Sequence, residues 1–256
     1  MLNDFTIVLQ GYSMNPEQME EVIKYYITRG LKNIVVSSYS SCINDFARTN
    51  TTFIEHDLND GYEHKCINTY REHYEQKAKG NGKELVIKTL ENIPNVKSRN
   101  LNNHLYTSRT GLIKGKEVYD AKYSLKCRAD MIIYNLDKLL PKWIEEVNNK
   151  PPNNKVYNSR ILQYKYNKRE DWYICDFFAF GKTDDLINYY SIPYGTDDTP
   201  ENYKKAKSAE NFIASGRILS IEKGKYKNLR KKYFCFSPDI DGYWYKRKTK
   251  LKDIKF

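Results

Sequence analysis

Short apolar runs, separated by polar stretches with helix-like spacing, organise the start of the chain. Phe5-Thr6-Ile7-Val8-Leu9 has the length and continuity of a buried strand and is broken by Gln10-Gly11. A helix follows. Asn15 is placed to cap it, Pro16 suits its first turn, Glu17, Glu20 and Glu21 face the positive end of its dipole, and Gly30 ends it. Asn33-Ile34-Val35-Val36-Ser37-Ser38 then reads as a second strand. Strand, helix and strand within about forty residues predict a right-handed βαβ unit, and hence an α/β fold with a doubly wound, mostly parallel sheet flanked by helices.

Further along, the stretch from His64 to Asn92 is polar with scattered apolar positions and predicts one or two helices, interrupted at Gly80-Asn81-Gly82. Asn102 to Lys114 predicts a helix with Leu105 and Leu112 inward, leading into a central strand that ends at Asp130. Pro141 to Asn148 predicts a helix with proline in its first turn, and Lys150 to Asn154 a loop. Arg160 to Tyr164 reads as a strand. Asp171 to Gly181 is densely aromatic and carries two acids, and Lys182 to Leu186 begins a helix with Thr183 as its cap. Neither a repeat nor a low-complexity tract is present.

The length of 256 residues suits one large α/β domain with a small extension, divided as 1–220 and 221–256. A net charge of +11 directs attention to anionic partners: nucleic acid, an anionic membrane or a phosphorylated substrate. The cations are densest in Lys223 to Lys232 and Lys246 to Lys250, interleaved with tyrosines and Trp244. Such a segment is either a nucleic-acid surface or a solvated terminal face. The abundance of Lys, Asn, Ile and Tyr also fits an adenine- and thymine-rich coding sequence. Cys42, Cys66, Cys127, Cys175 and Cys235 are odd in number and scattered, which fits a reduced compartment rather than a disulfide framework or zinc site. With neither a secretory leader nor an apolar run of membrane-spanning length, the expected location is the cytoplasm, with peripheral membrane contact left open.

The densest candidate chemistry is Lys126-Cys127-Arg128-Ala129-Asp130. An acid at the carboxyl end of a central strand, next to cations able to hold a phosphate, has the layout of a metal-diphosphate site. The same charges also suit a solvated strand edge. Asp176 is the second candidate, because an acid among Trp172, Phe177 and Phe178 is costly to bury unless it faces a cavity, a cation or a set of donors.

Five segments occur in the order of one family: Val8-Leu9-Gln10-Gly11, Val35 to Tyr39, Asn102 to Leu112, Lys126 to Asp130, and Asp176 to Thr183, with a weaker match at Ala209 to Phe212. In these the chain resembles the WavE lipopolysaccharide synthesis family, glycosyltransferases with a GT-A-like nucleotide-sugar-binding fold found in bacteria and in some large DNA viruses. The resemblance implies transfer of a sugar from a nucleoside-diphosphate donor to a saccharide or lipid-linked acceptor. It implies that Gln10 and Gly11 line the nucleotide end, that Ser37 and Ser38 lie near base or ribose, and that Asn102, Asn103, Ser108 and Arg109 face donor phosphate or sugar. Lys126, Arg128 and Asp130 would stand in place of the Asp-x-Asp motif, with Asp130 binding Mg²⁺ or Mn²⁺. Arg128 departs from that pattern, since its guanidinium can itself neutralise a diphosphate.

Asp176 is then the expected general base, its alternatives being acceptor binding or the metal shell. Of His56, His64, His73 and His104, only His104 lies in a matching segment. The competing readings are nucleotidyl transfer, a basic nucleic-acid-binding protein, and a binding module that keeps the fold without activity. Nucleic acid is not the expected partner of the leading reading.

Overall fold

The computed structural model describes residues 4–11, 16–39, 43–56, 101–166, 171–175, 177–191, 209–237, 240–245, 248–250 and 253. The predicted opening unit is present as β1 (Phe5–Gln10), α1 (Pro16–Ile27) and β2 (Ile34–Tyr39). The two strands are parallel, with Ile7 opposite Ile34 and Gln10 opposite Ser37. Gly30, at φ 79°, follows α1 in the left-handed conformation that closes many helices, and the Leu31 N–H reaches back to the Tyr26 carbonyl. Next come α2 (Asp45–Asn50), capped by the Asn44 side chain on Ala47 N–H at 3.1 Å, and β3 (Thr52–His56), parallel to β2. The helices expected between His64 and Asn92 lie outside the described residues.

Helix α3 (Leu101–Tyr119) leads to β4 (Tyr123–Arg128), which joins the free side of β1 in parallel, placing Arg128 opposite Gln10. Then follow β5 (Met131–Ile133), α4 (Leu136–Asn148), β6 (Ile161–Gln163), β7 (Phe178–Lys182), α5 (Thr183–Tyr190), α6 (Ala209–Ile221), α7 (Tyr226–Tyr233), β8 (Phe234–Phe236), β9 (Gly242–Trp244) and β10 (Thr249–Lys250). The main sheet has the order β3-β2-β1-β4-β7-β6-β8, and β10-β9-β5 form a second, small sheet. Four of the six pairings in the main sheet are parallel, the two made by β7 being antiparallel, so the expected mostly parallel α/β architecture is present.

The two faces of β1 divide the core. Ile7 and Leu9 pack with Met19 and Val22 of α1 and Leu140 and Trp143 of α4, while Val8 packs with Leu105 and Leu112 of α3 and with Leu186 and Ile213 beyond. Both expected inward leucines of α3 are fully buried. A strand buried on both faces is therefore apolar at nearly every position, which is why it reads as a continuous run.

Three local expectations are corrected. The helix foreseen from Pro141 begins at Leu136, so Pro141 sits in its second turn. The proline is exposed, and it leaves the Asp137 carbonyl, four residues earlier, without its helical N–H. Thr183 is the first helical residue of α5 rather than its cap. Its hydroxyl donates to the Ala121 carbonyl at 2.6 Å and lies 2.9 Å from the Ser124 hydroxyl, fastening the helix to β4. The strand expected to run to Asp130 leaves the main sheet at Arg128, and Met131–Ile133 pairs instead with β9. After α6, the chain supplies β8 to the main sheet and β9 to the small one.

Helix α3 lies unusually close to the sheet. A Cβ at Gly111 would stand 2.5 Å from Val8 Cγ1 and 3.0 Å from Ser37 Cβ, and one at Gly115 2.9 Å from Thr6 Cγ2. Gly111→Ala gains roughly 1 kcal/mol of helix propensity but forces the helix off β1, and overpacking of this kind costs about 1–3 kcal/mol. Net destabilisation in urea unfolding is the expected outcome, while stabilisation would show that the helix seats differently.

Asp185, at the start of α5, is fully buried and accepts hydrogen bonds from Asn158 N–H at 2.9 Å and the Ser159 hydroxyl at 2.6 Å. Burial pushes its carboxyl above the ordinary value, and the Ser159 and Asn158 donors offset part of that rise. The folded chain thus holds this proton more tightly than the unfolded one, and the stability it contributes is lost as pH rises through the raised value. Asp185→Asn should destabilise at every pH by about 1–3 kcal/mol, because a donor replaces one acceptor. The gap between wild type and variant, read by denaturant unfolding, should be wider at pH 4 than at pH 7.

Candidate functional site

The chain moves from β1 outward to β2 and β3, then returns through α3 to β4 on the opposite side of β1. The carboxyl ends of β1 and β4 consequently flank a topological switch point, the position at which open α/β sheets leave a crevice for a ligand. Backbone hydrogen bonds hold these ends together past the last ladder pair. Ala129 N–H donates to the Gln10 carbonyl at 3.0 Å, and Arg128 N–H to the Phe177 carbonyl at 3.3 Å.

Side chains alternate along each strand, so Gln10 and Lys126 share the face covered by α3. Gln10 Oε1 accepts from the Thr107 hydroxyl at 2.9 Å, and its Nε2 lies 3.5 Å from His104 Nδ1. Lys126 is wholly buried. Its Nζ lies 3.1 Å from His104 Nε2 and 5.5 Å from the centre of the Tyr190 ring. An ammonium only donates, so a charged Lys126 requires His104 Nε2 to accept and places the ring proton on Nδ1. Lys126, His104 and Gln10 thus form one linked set, of which His104 is only partly buried.

The turn after β4 carries the charged pair. Arg128 Nε lies 2.9 Å from Asp130 Oδ1, and Nη2 lies 3.0 Å from Oδ2, a two-pronged contact that uses both carboxylate oxygens. Exposure is unequal, at 28% for the Arg128 side chain against 3% for that of Asp130. The backbone of Asp130 is fixed as well, its carbonyl accepting from Tyr245 N–H at 3.0 Å.

Gly11 continues β1 with φ 91°, a backbone conformation costly for any residue with a Cβ, and no atom of the described residues lies within 4 Å of where a Cβ would point. Its N–H donates to the Ser37 carbonyl at 3.2 Å, and its carbonyl accepts from the Ser38 hydroxyl at 2.7 Å. Both serine hydroxyls, expected near base or ribose, are engaged within the protein. Ser37 Oγ donates to the Thr107 carbonyl at 2.7 Å, and a hydroxyl has one proton, so His56 Nε2, also at 2.7 Å, is the donor in that contact.

The remaining candidates divide. Asn102 and Asn103 stand in the first turn of α3, at the carboxyl ends of the parallel strands. Ser108 is buried, and its hydroxyl has no hydrogen-bond partner among the described residues. Arg109 is exposed and lies nearly opposite His104 and Thr107 around α3, so the structure does not bring it to Gln10 and Lys126. Asp176, His64 and His73 lie outside the described residues. The part played by His104 was barely visible in sequence, its one local signal being the spacing that sets it one helical turn from Thr107.

The donor set at this turn does not suit a resident Mg²⁺ or Mn²⁺. Asp130 is nearly inaccessible and already engaged at both oxygens, and among the described residues no three His, Cys, Asp or Glu side chains converge. The described cysteines offer no alternative. Cys127 and Cys235 are buried thiols, each pushed up to about 12 by burial, and Cys175 is also buried.

No family model and no curated protein matches the sequence. Among solved structures, the chain is similar to a glycosyltransferase involved in the glycosylation of the major capsid of PBCV-1, at 10% identity and a TM-score of 0.33, over 76% of this chain and 73% of that one. It is also similar to a cysteine-to-serine mutant described as a transferase, at 13% identity and a TM-score of 0.40, over 92% and 90% of the two chains. Both scores are too low to bear on chemistry, and the fold stands on the topology described above.

Proposed function

We propose that the chain is a glycosyltransferase that takes a nucleoside-diphosphate sugar at the β1/β4 switch point and passes the sugar to a hydroxyl of a saccharide or lipid-linked acceptor. The observation that carries this reading is the convergence of Gly11, His104 and Arg128, all partly accessible, at the carboxyl ends of the central parallel strands, with the buried Lys126 cation behind them. The class of reaction comes from the resemblance of the sequence segments to the WavE family, although no family model matches the chain.

On this reading the diphosphate lies toward the partly exposed Arg128 guanidinium, whose orientation the Asp130 carboxylate holds. His104 and Gln10 contact the donor beside it, and the open space at Gly11 admits the nucleoside. In the reaction the acceptor hydroxyl attacks the anomeric carbon and gives up its proton to a base. The bond from that carbon to the phosphate oxygen breaks, and the nucleoside diphosphate leaves with the electron pair. Arg128 and Lys126 stabilise the negative charge that grows on the leaving group. The proposed base is Asp176, which precedes Phe177, the residue whose carbonyl accepts from Arg128 N–H.

Calorimetric titration with UDP, GDP and CDP, and with their sugar conjugates, tests the reading directly. Binding of one nucleotide series is expected, weakened about tenfold or more in His104→Ala and Gln10→Ala, the loss of one or two polar contacts. A folded protein that binds none of the series, yet binds DNA or RNA with steep salt dependence, would establish the nucleic-acid reading instead.

Asp176→Asn should lower release of nucleoside diphosphate from the sugar conjugate by about 10²–10⁴-fold while leaving donor affinity within about threefold, as removal of a general base does. Unchanged turnover would remove Asp176 from the chemistry.

A further inference from the structure

We infer, building on the transferase reading above, that Arg230 and the rings around it form an acceptor subsite for a saccharide bearing a carboxylate or a phosphate.

Three segments meet at this corner. Helix α7 carries Arg230 one turn after Tyr226, β8 ends in Phe236, and the chain leaving β6 carries Tyr166, which bridges to Ile174 on its return. The Arg230 guanidinium carbon lies 3.6 Å from the centre of the Tyr166 ring, 5.7 Å from that of Tyr226 and 5.9 Å from that of Phe236. Trp172 extends the aromatic surface, its ring 5.0 Å from that of Tyr226 and its backbone at φ 64°, a conformation rare for a bulky residue.

Stacking on rings uses the flat faces of a guanidinium and leaves its N–H groups, which lie in the plane, to other partners. Arg128 and Arg160 set theirs against Asp130 and Glu146. The Arg230 side chain is half-buried, and its Nε and Nη1 are closed off from solvent with no hydrogen-bond acceptor among the described residues. Burial therefore works against its charge. Asp171, on the returning chain, is exposed, and its charge acts on Tyr226. Glu222 is taken by Lys232 and the Tyr233 hydroxyl. A carboxylate or phosphate entering at the open side of Arg230 supplies the acceptor that the protein leaves out. Lys223, Lys225, Lys227 and Lys231, all exposed on or just before α7, draw anions toward it.

The corner shares an edge of the sheet with the donor site. Strands β4 and β6 are both antiparallel to β7, so β4, β6 and β8 point the same way, and Lys126, Ala179, Gln163 and Phe236 stand in one row. Phe236 is thus on the α3 face with Lys126, three strand spacings or about 14 Å away. That separation suits a saccharide whose hydroxyl reacts at the switch point while a charged substituent further along reaches Arg230. Tyr166 and Trp172 offer flat amphipathic rings to the sugar itself.

Calorimetric titration of the full chain with trigalacturonic acid, glucose 6-phosphate, maltotriose and inorganic phosphate, at constant ionic strength, is the test. Either acidic sugar should bind at least about tenfold more tightly than maltotriose or inorganic phosphate, and the two arms tell carboxylate from phosphate. Arg230→Gln should abolish that preference, and Arg230→Lys, which keeps the charge but loses the planar fork, should lose most of it, with circular dichroism confirming the fold of each. The double change Lys227→Ala and Lys231→Ala should weaken binding by less than about threefold, as loss of exposed charges does. Equal binding of maltotriose, binding of inorganic phosphate as tight as that of the sugar phosphate, an equal loss in the lysine variant, or binding of poly(U) alone that falls with Arg230→Gln would each overturn the inference. UDP, GDP and CDP titrated into the same wild-type samples report the donor site separately. Nucleotide binding without acidic-sugar binding would sink the Arg230 subsite alone, whereas acidic-sugar binding without nucleotide binding would sink the transferase reading.

Discussion

The arrangement depends on how closely α3 approaches β1 and β2. Gly111 and Gly115 let the helix backbone rest against Val8, Ser37 and Thr6 without an intervening Cβ layer. That short separation lets His104 reach both Gln10 and Lys126, and lets the Thr107 carbonyl and hydroxyl meet Ser37 and Gln10. A helix standing one methyl group further out would lose several of these contacts together, since hydrogen bonds weaken steeply with distance. The polar cluster is thus a consequence of packing, and the glycines that permit it sit one and two turns away from it.

The same strand presents two chemistries on its two sides. Lys126 turns toward α3 and is held by His104 and the Tyr190 ring, where its charge meets polar and aromatic partners. Cys127 turns toward α1 and α4 and packs in the apolar core, where its thiol stays protonated. Burying an ammonium in a sheet is costly unless compensated. Keeping one at the heart of a switch point fits a ligand that brings negative charge, and the neighbouring Arg128 and Asp130 pair supplies a cation whose direction is fixed.

Much of the fold was legible because its signals are local. Phe5–Leu9 and Ile34–Val36 are buried on both faces and read as unbroken apolar runs, and Gly30 marked the end of α1. The errors arose where distant chain supplied the partner. Met131–Ile133 follows an apparent central strand, yet it pairs with β9, more than a hundred residues later. Thr183 has the chemistry of a helix cap, but Ala121 and Ser124 claim its hydroxyl first. At the site, the strand-end positions of Gln10 and Gly11 followed from pattern alone, while the strand end expected at Asp130 falls at Arg128. The inward turn of Asp130 and the bridging place of His104 depend on three-dimensional contacts that spacing does not encode.

The clasp of Tyr245 on the Asp130 carbonyl ties the turn after β4 to chain made 115 residues later, through a small sheet that β5 cannot form by itself. During synthesis the amino-terminal strands can pair as they emerge, but the charged turn has no backing until β9 has left the ribosome. The growing chain thus exposes a half-built parallel sheet before its ligand site is complete. The turn that carries Arg128 takes its backing from chain that comes after it, and loss of the final strands would remove that backing.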